Sequence, residues 1–271
     1  MLRTLWGLGL VAVTSCGTTS KNTTQTAPGP GSGASVGSNA SDVVGAALAT
    51  TTVDKGQFGH YLGDRMIGAE QFTIERNALG YRITAHHESS SGRTEIELIT
   101  DLSFATVGAT MSAKIPGPPV VDGAGAGSGS AATPTEFALS STVYRDPKGH
   151  LISEFNNGRT TETTASIRPV DWFIGGSFTA ILLPICARTE TETTSFLVFP
   201  DDTVDVFAPT TIMLEGGKRT ITMHRIRFAS TGKTSYVACE GNNIVGERTG
   251  KQASARRDDN AVLTALAQLR M

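Results

Sequence analysis

Few residues in this chain have the types and spacing that chemistry needs. His86-His87-Glu88 is the densest run able to hold a metal or move a proton. On a strand, neighbouring side chains point to opposite faces, so only His86 and Glu88 share one. Two ligands fall short of the three that a catalytic zinc takes from its protein. His60, His150 and His224 are scattered along the chain. Asp201, Asp202 and Asp205 offer carboxylates without the glycine and closing glutamate of a calcium loop. Asp171, beside Trp172, is a carboxylate of the kind that commonly caps a turn. There is no H-E-x-x-H and no phosphate-loop spacing. The expectation is a protein with no catalytic residue, no metal and no cofactor.

The elements that must position these residues read as strands. Phe58 to Leu62, Gly63-Asp64 and Met66 to Glu75 form one hairpin, with Phe72 and Ile74 on a common face. Tyr81, Ile83, Ala85 and His87 alternate with Arg82, Thr84, His86 and Glu88; after Ser89 to Gly92, Ile96 and Leu98 alternate with Glu95 and Glu97. Asp146-Pro147-Lys148-Gly149 has the residues of a type I turn, and Asn157-Gly158 those of a hairpin. Further strands follow from Thr191 to Arg248. About ten strands at this spacing predict a mainly β fold: one antiparallel, strongly curved sheet or open barrel.

Two segments break the pattern. Asp171 to Pro184 is strongly apolar and reads as a short internal helix, begun by Ser177 and ended by Pro184, or as a core strand. Residues 116–135 are rich in Gly, Pro, Ser and Ala and read as a disordered insertion. A C-terminal helix occupies 258–271, capped by Asn260, with Val262, Leu263, Leu266 and Leu269 in one stripe. The stripe suits docking on the domain or contact with a partner.

Of 271 residues, 18% are charged and the net charge is −2, which argues against nucleic acid, since phosphate binding requires a concentrated basic face. Much of the excess of small residues lies in the insertion and in Gly17 to Asp42. There, 20 of 26 residues are Gly, Ser, Thr, Ala or Pro, too few apolar groups to offset ordering entropy. Residues 57–257 therefore read as one β-rich domain behind a flexible tether within 16–56.

The first residues read as an export signal: Arg3, an apolar run of about ten residues from Leu5, and small residues at Thr14-Ser15. That run is too short to cross a bilayer, which takes about 20 helical residues. Val13-Thr14-Ser15-Cys16 resembles the lipobox of bacterial lipoproteins. The resemblance implies cleavage after residue 15, a lipid (palmitate among the acyl chains) on Cys16, and a tether from a membrane to the domain. Gly17 resembles the pattern of lipoproteins sent on to the outer membrane. With Cys16 lipidated in an exported compartment, Cys186 and Cys239 remain, either as one disulfide or as two buried thiols.

The body, through Tyr61 to Gly68 and the meander from Thr142 to Ile167, resembles exported bacterial proteins with incompletely closed β-barrels, the periplasmic lipoprotein carriers among them. That resemblance concerns the fold; the lipobox, the tether, the strand-rich body and the lack of a catalytic motif lead to the expectation of a non-enzymatic envelope protein, anchored in a membrane. Its curved sheet would bind an apolar or amphiphilic ligand or a partner protein. The alternatives are an assembly module of a surface complex that uses the C-terminal helix, or a hydrolase built around His86 and Asp171.

Overall fold

Alternation of side chains decides which side of each strand is buried, and here it produces one continuous sheet with a distinct inner and outer face. The computed structural model describes residues 50–116, 136–174, 178–187 and 192–269. The first half is a meander of eight strands: β1 (Thr51–Leu62), β2 (Arg65–Arg76), β3 (Gly80–Ser89), β4 (Gly92–Asp101), β5 (Thr106–Pro116), β6 (Glu136–Arg145), β7 (Leu151–Asn156) and β8 (Thr161–Ala165). The second half holds β9 (Thr194–Val198), β10 (Asp202–Val206), β11 (Thr210–Leu214), β12 (Arg219–Phe228), β13 (Thr234–Glu240), β14 (Asn243–Thr249) and β15 (Gln252–Arg256).

All strand pairs are antiparallel, in the order β8-β7-β6-β5-β4-β3-β2-β1-β15-β14-β13-β12-β10-β9, with β11 also on β12. β15 returns beside β1, where Phe58 faces Arg256 and His60 faces Ser254. The sheet does not close: β8 and β9 are its two ends. The fold class is as expected, with about five more strands than the pattern discloses.

Inner-face residues Phe58, Phe72, Ile74, Ile83, Ile96 and Leu98 join the main core. Covering them are residues 170–174 and 178–186, the latter containing a 3-10 turn (Ala180–Leu182) running into α1 (Leu183–Cys186). This is the short internal helix, with one correction. Pro184 lies in its first turn instead of ending it, because a missing N–H is harmless where no intrahelical acceptor exists. Ser177 lies outside the described residues. Cys186 and Cys239 are joined by a disulfide that ties α1 to β13.

The outer face of the second half carries a smaller core of Leu214, Ile221, Met223, Ala238, Val245 and Ala255, roofed by α2 (Asn260–Gln268). Val262 and Leu266 of α2 are fully buried there, so the stripe is used within the chain. Gly246 permits this close approach. A Cβ at that position would stand 3.0 Å from both Leu266 Cδ1 and Val262 Cγ1. Asp259, one residue before the expected Asn260, is the cap: its Oδ1 accepts from the Val262 N–H while Oδ2 pairs with Arg219.

Two boundaries move. Residues 51–56 belong to β1, not to the tether, because Thr51 to Gly56 pair with Phe72 to Arg76 and so satisfy their backbone on β2 despite polar side chains. Pro116 ends β5 opposite Glu136 of β6. Cys16, the tether through Ala49, and residues 117–135 of the insertion lie outside the described residues.

Candidate functional site

The apolar inner face, the expected ligand site, is filled by the protein itself. Phe178, Ile181, Leu182, Leu183 and Ile185 are buried against it. The space left among Leu98, Thr106, Trp172, Phe173, Ile181 and Ile185 is a cavity of about 10 Å³, close to the minimum that admits one water. An apolar ligand has no room here.

One acid holds this plug. Glu70 is fully buried on the inner face of β2, and its carboxylate accepts from the Thr179 N–H (2.8 Å), the Ala180 N–H (2.9 Å) and His60 Nε2 (3.2 Å). Three donors onto one carboxyl group supply the partners that a buried polar group requires. His87, on β3 beside Glu70, sets its ring edge-on to His60 at 4.7 Å. Burial, joined by the neighbouring His60, pushes the His87 imidazole down. Burial also pushes the Glu247 carboxyl up, against the opposing hydrogen bond from Thr249 Oγ1 at 2.8 Å. Sequence reasoning did not single out Glu70 or Glu247. The available signal was Glu70 at the inward position of the alternation Glu70-Phe72-Ile74, an acid where an apolar residue belongs.

The other candidates do not converge. His86 and His87 face opposite sides, as strand geometry requires; His86 is on the outer face between Glu88 (3.1 Å) and Glu95 (3.3 Å). The Asp171 carboxylate accepts from the Leu197 N–H of β9, fastening that edge. Asp201 accepts from Ile167 N–H, Asp202 from Ser230, and Asp205 from Ser195 and Arg227, three separate loop and strand contacts. His150 Nδ1 lies 2.9 Å from the Ser166 carbonyl. Among the described residues no group of three His, Cys, Asp or Glu side chains is placed to hold a metal.

His224 is buried on the inner face of β12, and its Nδ1 has no hydrogen-bond partner. Burial alone pushes its imidazole down, so the folded state resists a proton that the unfolded chain accepts near pH 6.5. The unfolded state binds more protons below that value, and stability falls as pH drops through it. His224→Leu is expected to flatten the loss of melting temperature between about pH 7 and pH 5. An unchanged slope in the variant would show that His224 does not report on this core.

The open feature is on the other side of the sheet. A groove of about 970 Å³ crosses β1 to β6 on the outer face. Strand register builds its walls. One row runs Lys55, Thr73, Thr84, Glu97, Thr110 and Thr142, each facing the next across a strand pair. The second runs Gln57, Gln71, His86, Glu95, Ser112 and Ser140 by the same pairings. Between the rows lies the backbone of Gly56, Phe72, Ala85, Ile96, Met111 and Ser141, most of whose side chains point inward. Five strand spacings make each row about 24 Å long.

The charges near the groove are largely engaged with one another. Glu97 takes Arg82 at 3.0 Å, and Arg93 lies 3.1 Å from Glu95. The hydroxyls and amide of Gln71, Thr110, Ser112, Ser140 and Thr142 make no hydrogen bond to any described residue. Comparison with protein-family models, with curated proteins and with solved structures finds no match for this chain.

Proposed function

We propose that the protein is a non-enzymatic binding module of a bacterial cell envelope, anchored by lipid at Cys16, and that it binds a hydroxyl-rich ligand, a glycan, along the groove of β1 to β6. The observation that carries this reading is the pair of polar rows with uncommitted hydroxyl and amide groups. Such groups donate and accept at fixed spacing, which suits a chain of hydroxyls. A protein partner draws its affinity from buried aromatic and apolar anchors, and the two rows contain none. Nucleic acid is disfavoured by Glu95 and Glu97 in mid-groove. The signal-like N-terminus and the tether support placement at a membrane surface, probing envelope polymers within reach.

The test is titration of the full chain with soluble fragments of envelope glycans. Gln71→Ala combined with Ser112→Ala removes groups from two strands of one row. At about 0.5–1.5 kcal/mol per hydrogen bond, affinity is expected to fall about tenfold. Equal binding by this variant and the parent would refute the groove as the site.

A further inference from the structure

Six exposed apolar side chains of the first half stand at one end of it, against three, Leu62, Met66 and Phe137, at the other. β1 enters at Thr51, β2 leaves at Arg76, β4 ends at Asp101, β5 begins at Thr106 and β6 ends at Arg145, so all these points lie along the same edge of an antiparallel meander. Val53, Leu79, Ile99, Leu102, Val107 and Tyr144 stand there, between 42% and 68% exposed. Leu79 tops the β2–β3 turn and Leu102 the β4–β5 turn.

Two of the six are there because of register irregularities. The pairing passes from Thr52↔Glu75 to Asp54↔Ile74, leaving Val53 without a cross-strand partner. It passes from Ile99↔Gly108 to Thr100↔Thr106, leaving Val107 likewise. A bulge re-aims one side chain at the expense of a ladder position. Here both re-aimed residues are valines at the same end.

This end is also where the chain from Cys16 joins the sheet. From Cys16 to Thr51 is a chain with an end-to-end distance of about 30–35 Å if it behaves as a flexible coil. A lipid on Cys16 therefore holds this edge, more than any other part of the domain, near the bilayer. We propose that this apolar edge rests in the membrane interface, with Leu79 and Leu102 at its lowest points. The sheet would then stand on the membrane, with the groove directed sideways along its surface. This rests on the lipid-anchor reading above, and it fits a lipid surface because interfacial binding buries apolar side chains about 5–10 Å into the headgroup boundary.

The experiment is tryptophan quenching in the full chain reconstituted in phosphatidylethanolamine and phosphatidylglycerol vesicles, with and without brominated lipid. Leu79→Trp and Leu102→Trp are read separately against Leu62→Trp, an exposed site at the opposite end of β1. The expected result is emission lowered about twofold by brominated lipid at residues 79 and 102 and unchanged at 62. No quenching at 79 and 102, or equal quenching at all three, overturns the proposal. The mass of the Cys16 peptide is measured on the same sample. An unmodified Cys16 with quenched residues 79 and 102 defeats the anchor and leaves the interfacial edge standing. A lipidated Cys16 without quenching does the reverse.

Discussion

Glu70→Ala is expected to lower the unfolding free energy by about 3–5 kcal/mol, because each buried donor left without an acceptor costs about 1–3 kcal/mol. The side chain is fully buried and receives His60, the Thr179 N–H and the Ala180 N–H. Alanine leaves all three donors without an acceptor in a space closed to water. It also frees the start of the 3-10 turn, whose Thr179 makes no side-chain cap. Glu70→Gln keeps one acceptor oxygen and should lose less. Urea unfolding followed by the fluorescence of Trp172 reads both variants. A Glu70→Ala midpoint equal to that of the parent would show that the plug is held by packing alone.

The second large effect is at the other end of the same segment. Replacing both Cys186 and Cys239 with serine opens a loop of 53 residues, which in the chain-entropy model is worth about 4 kcal/mol. The expected result is a protein that still folds, with a melting temperature well below that of the oxidised parent and indifferent to added reductant. A double-serine variant as stable as the parent would contradict it. Because Glu70 and the disulfide fasten one ten-residue segment, their combined loss is expected to fall short of the sum.

Much of the fold was legible because its inner face is written in the usual way. Phe72 and Ile74, Ile83 and Ala85, Ile96 and Leu98 alternate cleanly and lie on one side. The turns announced themselves too: Gly149 and Gly158 adopt positive φ where the turn sequences require it. β5 escaped notice because Gly108, Ala109 and Ala113 are weak strand formers whose pairing comes from the neighbours on both sides. The first six residues of β1 escaped because their composition continues that of the tether, and only the ladder to β2 decides the matter. Pro184 misled because a helix that begins with proline and one that ends before it look alike until the flanking turn is seen.

The candidate site was far less legible. In the sequence, Thr73, Thr84 and Thr110 are simply the outward half of three alternations. They become a row only through register, which no single strand encodes. The groove further needs the sheet to bend so that the two rows rise on either side of a backbone floor. Glu70 was readable as a misplaced acid, but its partners at Thr179 and Ala180 are 109 and 110 residues away. The inner face differs from the expected apolar site for a related reason: Trp172, Phe173, Phe178 and Ile181 to Leu183, from the stretch Asp171 to Pro184 that reads as apolar, are packed on it.

The most direct test of the account is amide chemical-shift mapping of the isotope-labelled protein during titration with a soluble envelope glycan. The groove predicts shifts confined to the outer-facing residues of β1 to β6, strongest at Gln71, His86, Thr110 and Ser112, with the plug at 178–187 unaffected. Shifts centred on the plug, on the exposed edge of β8 or on α2, or no shift with any envelope glycan, would contradict it.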